Sequence, residues 1–250
     1  MKRRHAATAF VALFMLMALV LCVCCEQSAR VARGAESGSE QPEPAGAQAP
    51  SGNSGAPDWK PATDRDKFLY DLSLAAIERT RHKVDYDPSY IVLDYPGGDV
   101  PDNKGVCADV VVRAYRALGI DLQVDVHQDM KANFSLYPNR WGLKRPDKNI
   151  DHRRVLNLMT LFSRKGTALP VTDNPADYLP GHIVSWDLNG KGLTHIGIVT
   201  HVRGSGGRFK IVHNIGRGPQ LEDVLFDWKI IGHHTYFGGR KFNAAGKRIP

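Results

Sequence analysis

Past residue 25 the chain has a single cysteine, Cys107, and that scarcity excludes a good deal. No disulfide can close within the folded part, and no cysteine pair is available for a structural metal site. The ten histidines do not fill the gap. His195, His213, His233 and His234 form no close-spaced ligand motif, so neither a metal nor any other cofactor is required. Internal repeats are absent, which excludes a solenoid. Surplus charge is small: the net is +7, and Lys2, Arg3 and Arg4 supply part of it. So mild an excess argues against a nucleic-acid binder, although a weakly basic surface suits an anionic cell envelope.

What is there begins with an export pattern. Lys2, Arg3 and Arg4 precede a run from Ala6 to Cys25 whose only polar residue is Thr8. A basic region before an apolar stretch is the form of a secretory signal. The run is also just long enough to span a bilayer, so an uncleaved anchor is the alternative. Ala32-Arg33-Gly34 offers a small-x-small cleavage site, and Cys22-Val23-Cys24 a poorer one. Cys22, Cys24 and Cys25 raise lipid attachment, yet none has both a small residue before it and a branched aliphatic one three before it. Either way the remainder is expected outside the cytoplasm, periplasmic or membrane-tethered and facing the envelope. Residues 26–62 are rich in Gly, Ala, Pro, Ser and Gln and read as a flexible tether, because they cannot bury enough surface to offset ordering entropy. The organisation is therefore 1–25 signal or anchor, 26–62 tether, 63–240 one folded domain of ordinary size, and 241–250 tail.

The spacing predicts a helix over Thr63–Val84, capped by Thr63 or Asp64, with Phe68, Leu69, Leu72, Ala75 and Ala76 on its apolar face. A strand over Tyr90–Leu93 runs into the Pro96-Gly97-Gly98 turn. The cysteine helix spans Val106–Leu118 and stops at Gly119. Another helix covers Asp125–Phe134, and a further one starts at Asp151 and ends before Gly166. After Leu179 the pattern changes. Ile183–Trp186, His195–Val202, Phe209–Asn214 and Ile230–Phe237 are short and rich in β-branched and aromatic residues, with Gly204-Ser205-Gly206-Gly207 as a hairpin connection. Helices first and an antiparallel sheet afterwards define an α+β domain, with the N-terminal helices packed on the sheet.

Cys107 falls at the start of its helix, where partial positive charge and free N–H groups favour a thiolate. It also shares a helical face with Val111, Ala114 and Leu118, as a packing cysteine would. A lone thiol in an oxidising compartment tips the reading towards reactivity. Such a nucleophile needs a base, and the base needs an orienting group. His195 lies at the mouth of one strand, and across the hairpin the next strand ends in His213 and Asn214. Alternation allows only one of that pair to share the face of His195. His201 has the same parity but lies about 20 Å further along the strand and reads as a surface residue. Asp109, one turn into the cysteine helix, suits the helix electrostatics and can also orient a neighbouring loop or a substrate amine. Asp151 fits an N-cap, whereas Arg153 and Arg154, next to His152, would oppose the dipole in a first turn. They are expected either to bind a substrate carboxylate or to pair with carboxylates elsewhere in the domain.

Gly105-Val106-Cys107, His195-Ile196-Gly197-Ile198 and Ile211-Val212-His213 resemble the Cys–His–polar site of the NlpC-type, papain-like cysteine peptidases. A closer resemblance, over about 63–237, is to the YijF-like domain-of-unknown-function family. It is carried by Tyr95-Pro96-Gly97-Gly98, Gly119-Ile120-Asp121-Leu122-Gln123, Asp151-His152-Arg153-Arg154-Val155, His213-Asn214-Ile215-Gly216 and Gly232-His233. The resemblance implies a cysteine amidase or peptidase acting on peptidoglycan stem peptides or other envelope peptides. Cys107 would be the nucleophile, His195 the base, and His213 (or Asn214) the orienting residue, with Asp109, Asp151, His152, Arg153 and Arg154 as substrate-binding or supporting groups. Two positions depart from the pattern: relatives carry Gly-Asp where this chain has Gly181-His182, and an arginine is expected near His233-His234. The alternative is a non-catalytic wall-binding or envelope assembly protein that keeps the fold. A zinc enzyme is a third reading, and the histidine spacing does not support it.

Overall fold

The computed structural model describes residues 59–250; the expected signal and nearly all of the tether lie outside them. Among the described residues no helix is long and apolar enough to cross a membrane. Helix α1 (Asp64–Arg79) begins where Thr63 Oγ1 accepts the Asp66 N–H at 3.1 Å. It buries Phe68, Leu69, Leu72 and Ala76 and ends short of Val84. There the N–H groups of Thr80, Arg81 and His82 tighten to carbonyls three residues back, and the Thr80 hydroxyl joins them at Ile77 O, 2.7 Å. Trp59, read from sequence as part of the tether, stacks on Tyr70 of α1.

Strand β1 (Asp85–Tyr86) pairs in parallel with β2 (Lys104–Gly105). The strand expected at 90–93 does not form: Val92 is 78% exposed, and the Leu93 N–H goes to the Asn149 side chain at 2.9 Å rather than to a neighbouring strand. Helix α2 (Cys107–Ala117) follows, almost wholly buried, and Gly119 at φ +74° ends it in the conformation that favours glycine. Helix α3 (Leu122–Asn133) is capped by Asp121. Asp151–Arg153 forms a separate 3-10 turn, and α4 (Val155–Lys165) starts only after it. The arginines therefore do not sit in a helix first turn, and the conflict with the dipole is not present.

Strands β3 (Thr167–Ala168), β4 (Ile183–Asp187), β5 (Thr194–Arg203), β6 (Phe209–His213), β7 (Gln220–Glu222) and β8 (Lys229–Thr235) make one antiparallel sheet, in the order β3-β8-β4-β5-β6-β7. Ile183, Ile196, Ile198 and Val212 face the helices, while Val184, Trp186, Val199 and Ile211 pack against Tyr178 and Leu225 on the other side. Burial on both faces explains why β4 reads as a near-continuous apolar run rather than an alternating one. Each such side chain contributes roughly 1.5–3 kcal/mol of transfer free energy. The last ten residues, read as a tail, contain a small hairpin of β9 (Lys241–Phe242) and β10 (Arg248–Ile249). It closes on the start of α1 through Arg65 N–H to Gly246 O, 3.0 Å, and Arg248 N–H to the Asp64 carboxylate, 2.9 Å.

Candidate active site

The start of α2 is held by one buried ion pair. The Asp109 carboxylate turns back to accept the Val106 N–H at 2.7 Å. Arg153 clasps the same carboxylate in a fork, Nε to Oδ1 at 2.9 Å and Nη2 to Oδ2 at 3.0 Å. It also donates to the carbonyls of Ser89 (3.0 Å) and Asp87 (3.1 Å). The helix start, the 151–153 turn and the 87–89 segment are thereby fixed to one another. Of the two roles expected for Arg153, ion pairing within the domain is the one observed.

Cys107 is the first residue of α2 and its side chain is buried. Burial pushes its thiol up to about 11, with the Asp109 charge adding to the rise. The backbone N–H groups of Ile196, Ala108 and Cys107 itself work against it by hydrogen bonding to the sulfur. The Tyr86 hydroxyl is a further hydrogen-bond partner of the thiol, and its own ionisation is pushed up to about 12 by burial first and by Cys107 second. The sulfur therefore lies against the peptide that joins His195 to Ile196. Among the described residues no hydrogen bond links the thiol to the His195 ring directly.

His195 belongs to a relay. Its Nε2 lies 2.8 Å from His213 Nδ1, and His213 Nε2 lies 3.0 Å from the Glu222 carboxylate. Register explains the meeting: Gly197 is opposite His213, so residues 195, 197 and 213 share a face. Trp186 and Trp228 flank the His195 ring at 5.8 and 5.9 Å between centroids. Burial, then His213, pushes His195 down to about 3, and burial also lowers His213 despite Glu222. Both rings are neutral at neutral pH, and the order of bonds then sets their tautomers. The carboxylate accepts from Nε2–H of His213, so His213 Nδ1 accepts from Nε2–H of His195. That leaves the Nδ1 lone pair of His195 as the basic site.

Asn214, the alternative orienting residue, points elsewhere: its Nδ2 donates at 3.4 Å to the carbonyl of Gly105, the last residue of β2. Asp151 is buried, accepting the Asp147 N–H and pairing with Arg154 at 2.9 Å. His152 is buried beside the ion pair and is pushed down to about 4, mainly by burial. Arg154 lies over the Trp141 ring at 4.2 Å. His182 meets His233 at 2.8 Å, four residues from Trp186 along β4 and so about 13 Å from the relay. The departure from Gly-Asp thus falls outside the site, as does His234, which bonds to Ser163. His201 is not a free surface residue. The register of β5 shifts between Val199 and Arg203, and the ring packs on Tyr70 and bonds to Ser73 of α1 at 2.9 Å. Among the described residues no group of three or more His, Cys, Asp or Glu side chains could hold a metal ion. Sequence reasoning missed Glu222, Tyr86 and Trp228. Glu222 and Tyr86 sit in strands of three and two residues, too short to leave a periodic signal.

The fold and this site define an α+β domain with a buried cysteine at a helix start, against the strand that carries a histidine relay. A family model matches residues 73–236, and the chain belongs to that family, described as Domain of unknown function (DUF1287). The chain is 56% identical to the Uncharacterized protein YijF of Escherichia coli (strain K12), over 61% of this chain and 74% of that protein. Among solved structures it resembles NlpC1 from Trichomonas vaginalis, with a TM-score of 0.36 and 16% identity, over 67% of this chain. The match spans 44% of that structure's length.

Proposed function

We propose that the protein is an exported cysteine-dependent amidase or peptidase that hydrolyses amide bonds of envelope peptides, with peptidoglycan stem peptides as the substrate class. Cys107 Sγ forms a bond to the amide carbonyl carbon as His195 Nδ1 takes the thiol proton. The Cys107 N–H, at the helix start, serves the developing oxyanion. Collapse breaks the C–N bond, His195 returns its proton to the leaving amine, and a thioester remains on Cys107. Water completes hydrolysis; an amine acceptor in its place makes the same site an acyltransferase. His213 and Glu222 hold the His195 ring in the tautomer that can act as a base. The observation that carries the reading is the contact of the Cys107 sulfur with the His195–Ile196 peptide, beside a relay whose order leaves the base lone pair on His195. The export signal and the envelope location belong to the same proposal and rest on residues 1–25.

The test is to incubate the purified chain with soluble muropeptides and to follow amide cleavage by mass spectrometry, beside Cys107→Ser. Cleavage that disappears in the variant supports the reading. A non-catalytic wall-binding protein is favoured by one observation, the closure of the site, since Cys107 is 4% exposed and His213 wholly buried. Binding of muropeptides without cleavage, equal in Cys107→Ser, would establish that alternative.

A further inference from the structure

Away from Cys107, α3, the 134–143 segment and α4 enclose a cavity of about 330 Å³. Its lining is mainly apolar, with Met130, Phe134, Tyr137, Trp141 and Leu143 among its walls. Arg154 is the one charged side chain in the lining. Two features mark it as more than a packing gap. Asn157 lines the cavity and is wholly buried, its Nδ2 donates to Asp151 O at 3.1 Å, and its Oδ1 has no hydrogen-bond partner among the described residues. A buried carbonyl left unsatisfied costs free energy, which a bound N–H donor would recover. Arg154 is stacked on Trp141 at 4.2 Å, and Asp151 engages only its Nη1. A guanidinium carries five in-plane N–H donors, so the edge turned from Asp151 keeps donors for a planar anion. The stacking holds the group in place, reducing the entropy lost when an anion is captured.

We infer that this cavity is a binding site for a carboxylate that sits next to an amide N–H and an apolar side chain, the chemistry of a peptide C-terminus or an N-acyl amino acid. Arg154 takes the carboxylate, Asn157 Oδ1 accepts the amide N–H, and the aromatic walls cover the side chain. The volume falls at the small end of ligand pockets and suits one residue, or two small ones. The inference does not depend on Cys107 being a nucleophile.

The experiment is a titration of the full-length protein with N-acetyl-leucine, read from the Trp141 indole N–H in ¹H–¹⁵N spectra, with N-acetyl-leucinamide as the probe that lacks the carboxylate. A saturable shift of the Trp141 resonance is expected, with the amide binding about tenfold more weakly or worse. Arg154→Gln should weaken the acid about tenfold and leave the amide unchanged. Asn157 is buried, so its substitution risks the fold. Ser135→Phe at the exposed rim fills the opening instead and should abolish binding of both probes while the rest of the spectrum is retained. No saturable shift in the wild-type protein, or equal affinity for acid and amide, would overturn the assignment. So would an undiminished affinity for the acid in Arg154→Gln.

Discussion

Replacing Arg153 with methionine tests how the site is held. The side chains of Arg153 and Asp109 are only 2% and 4% exposed. Methionine removes both forked bonds to Asp109 and both bonds to the Ser89 and Asp87 carbonyls. Asp109 then keeps the Val106 N–H as its remaining hydrogen bond, with a buried charge otherwise uncompensated. Breaking a buried pair from one side costs about 3–5 kcal/mol. At roughly 2–4 °C per kcal/mol for a domain of this size, the Tm should fall by roughly 6–20 °C in calorimetry. The double variant Arg153→Met with Asp109→Leu should regain at least half of the loss, because the desolvated charge goes with its partner. The segment at 87–89 also loses its anchor, so Cys107 in Arg153→Met should be alkylated faster than in the wild type at any one pH. A Tm within 2 °C of the wild type, or a double variant no more stable than the single one, would refute the idea that this pair ties the helix start to that segment.

Other outcomes follow from the same geometry. Glu222→Gln removes the carboxylate that sets the relay's tautomers, and should lower kcat on muropeptides by about tenfold or more with KM unchanged. Tyr86→Phe removes a hydrogen bond to the thiol while leaving a half-exposed ring in place, so stability should change little and alkylation at neutral pH should slow severalfold. Acid should unfold the domain through its histidines: His152 and His234 are pushed down to about 4, and His182 and His195 to about 3, in each case mainly by burial. The unfolded chain binds these protons near pH 6.5 and the native one does not, so their contribution is complete above that pH. It is lost as pH falls from 6.5 towards 3, by on the order of 1 kcal/mol per pH unit for each histidine. Urea midpoints measured at pH 7.5, 5.5 and 4.5 should fall in that order; a flat series contradicts the burial of these rings.

The parts of the site that depend on local pattern were legible. The glycine-rich turn at 204–207 fixed the β5–β6 register near the site, and alternation left one of His213 and Asn214 for the face of His195; the pairing of Gly197 with His213 puts His213 there. Helix α2 announced itself through its apolar spacing and Gly119. What failed depended on distant partners. Ile91, Val92 and Leu93 have strand composition, but a strand also needs an open neighbouring edge, and Asn149 took the Leu93 N–H instead. Glu222 reaches His213 only because β7 pairs with β6 across a loop with two positive-φ glycines, Gly216 and Gly218, and three strand residues carry no period to detect. Tyr86 reaches the thiol through a two-residue parallel pairing between residues 19 positions apart in the chain, which no local rule anticipates. Arg153 was visible as an oddity, and its partner Asp109 was recognised separately, yet nothing in the spacing joined them.

The central claim is that Cys107 and His195 act as one unit, and the pH dependence of Cys107 alkylation in the full-length chain tests it most directly. Burial, with the Asp109 charge, holds the thiol at about 11, and the His195 ring is neutral at rest, so at neutral pH the sulfur becomes a nucleophile only as His195 takes its proton. The account predicts a rate that varies little between about pH 6 and 9 in the wild type, where the neutral ring is available as the base throughout, and that falls by about tenfold or more at pH 7 in His195→Ala. A rate that only climbs towards pH 11, with the same profile in both proteins, would show a packing cysteine and contradict the account.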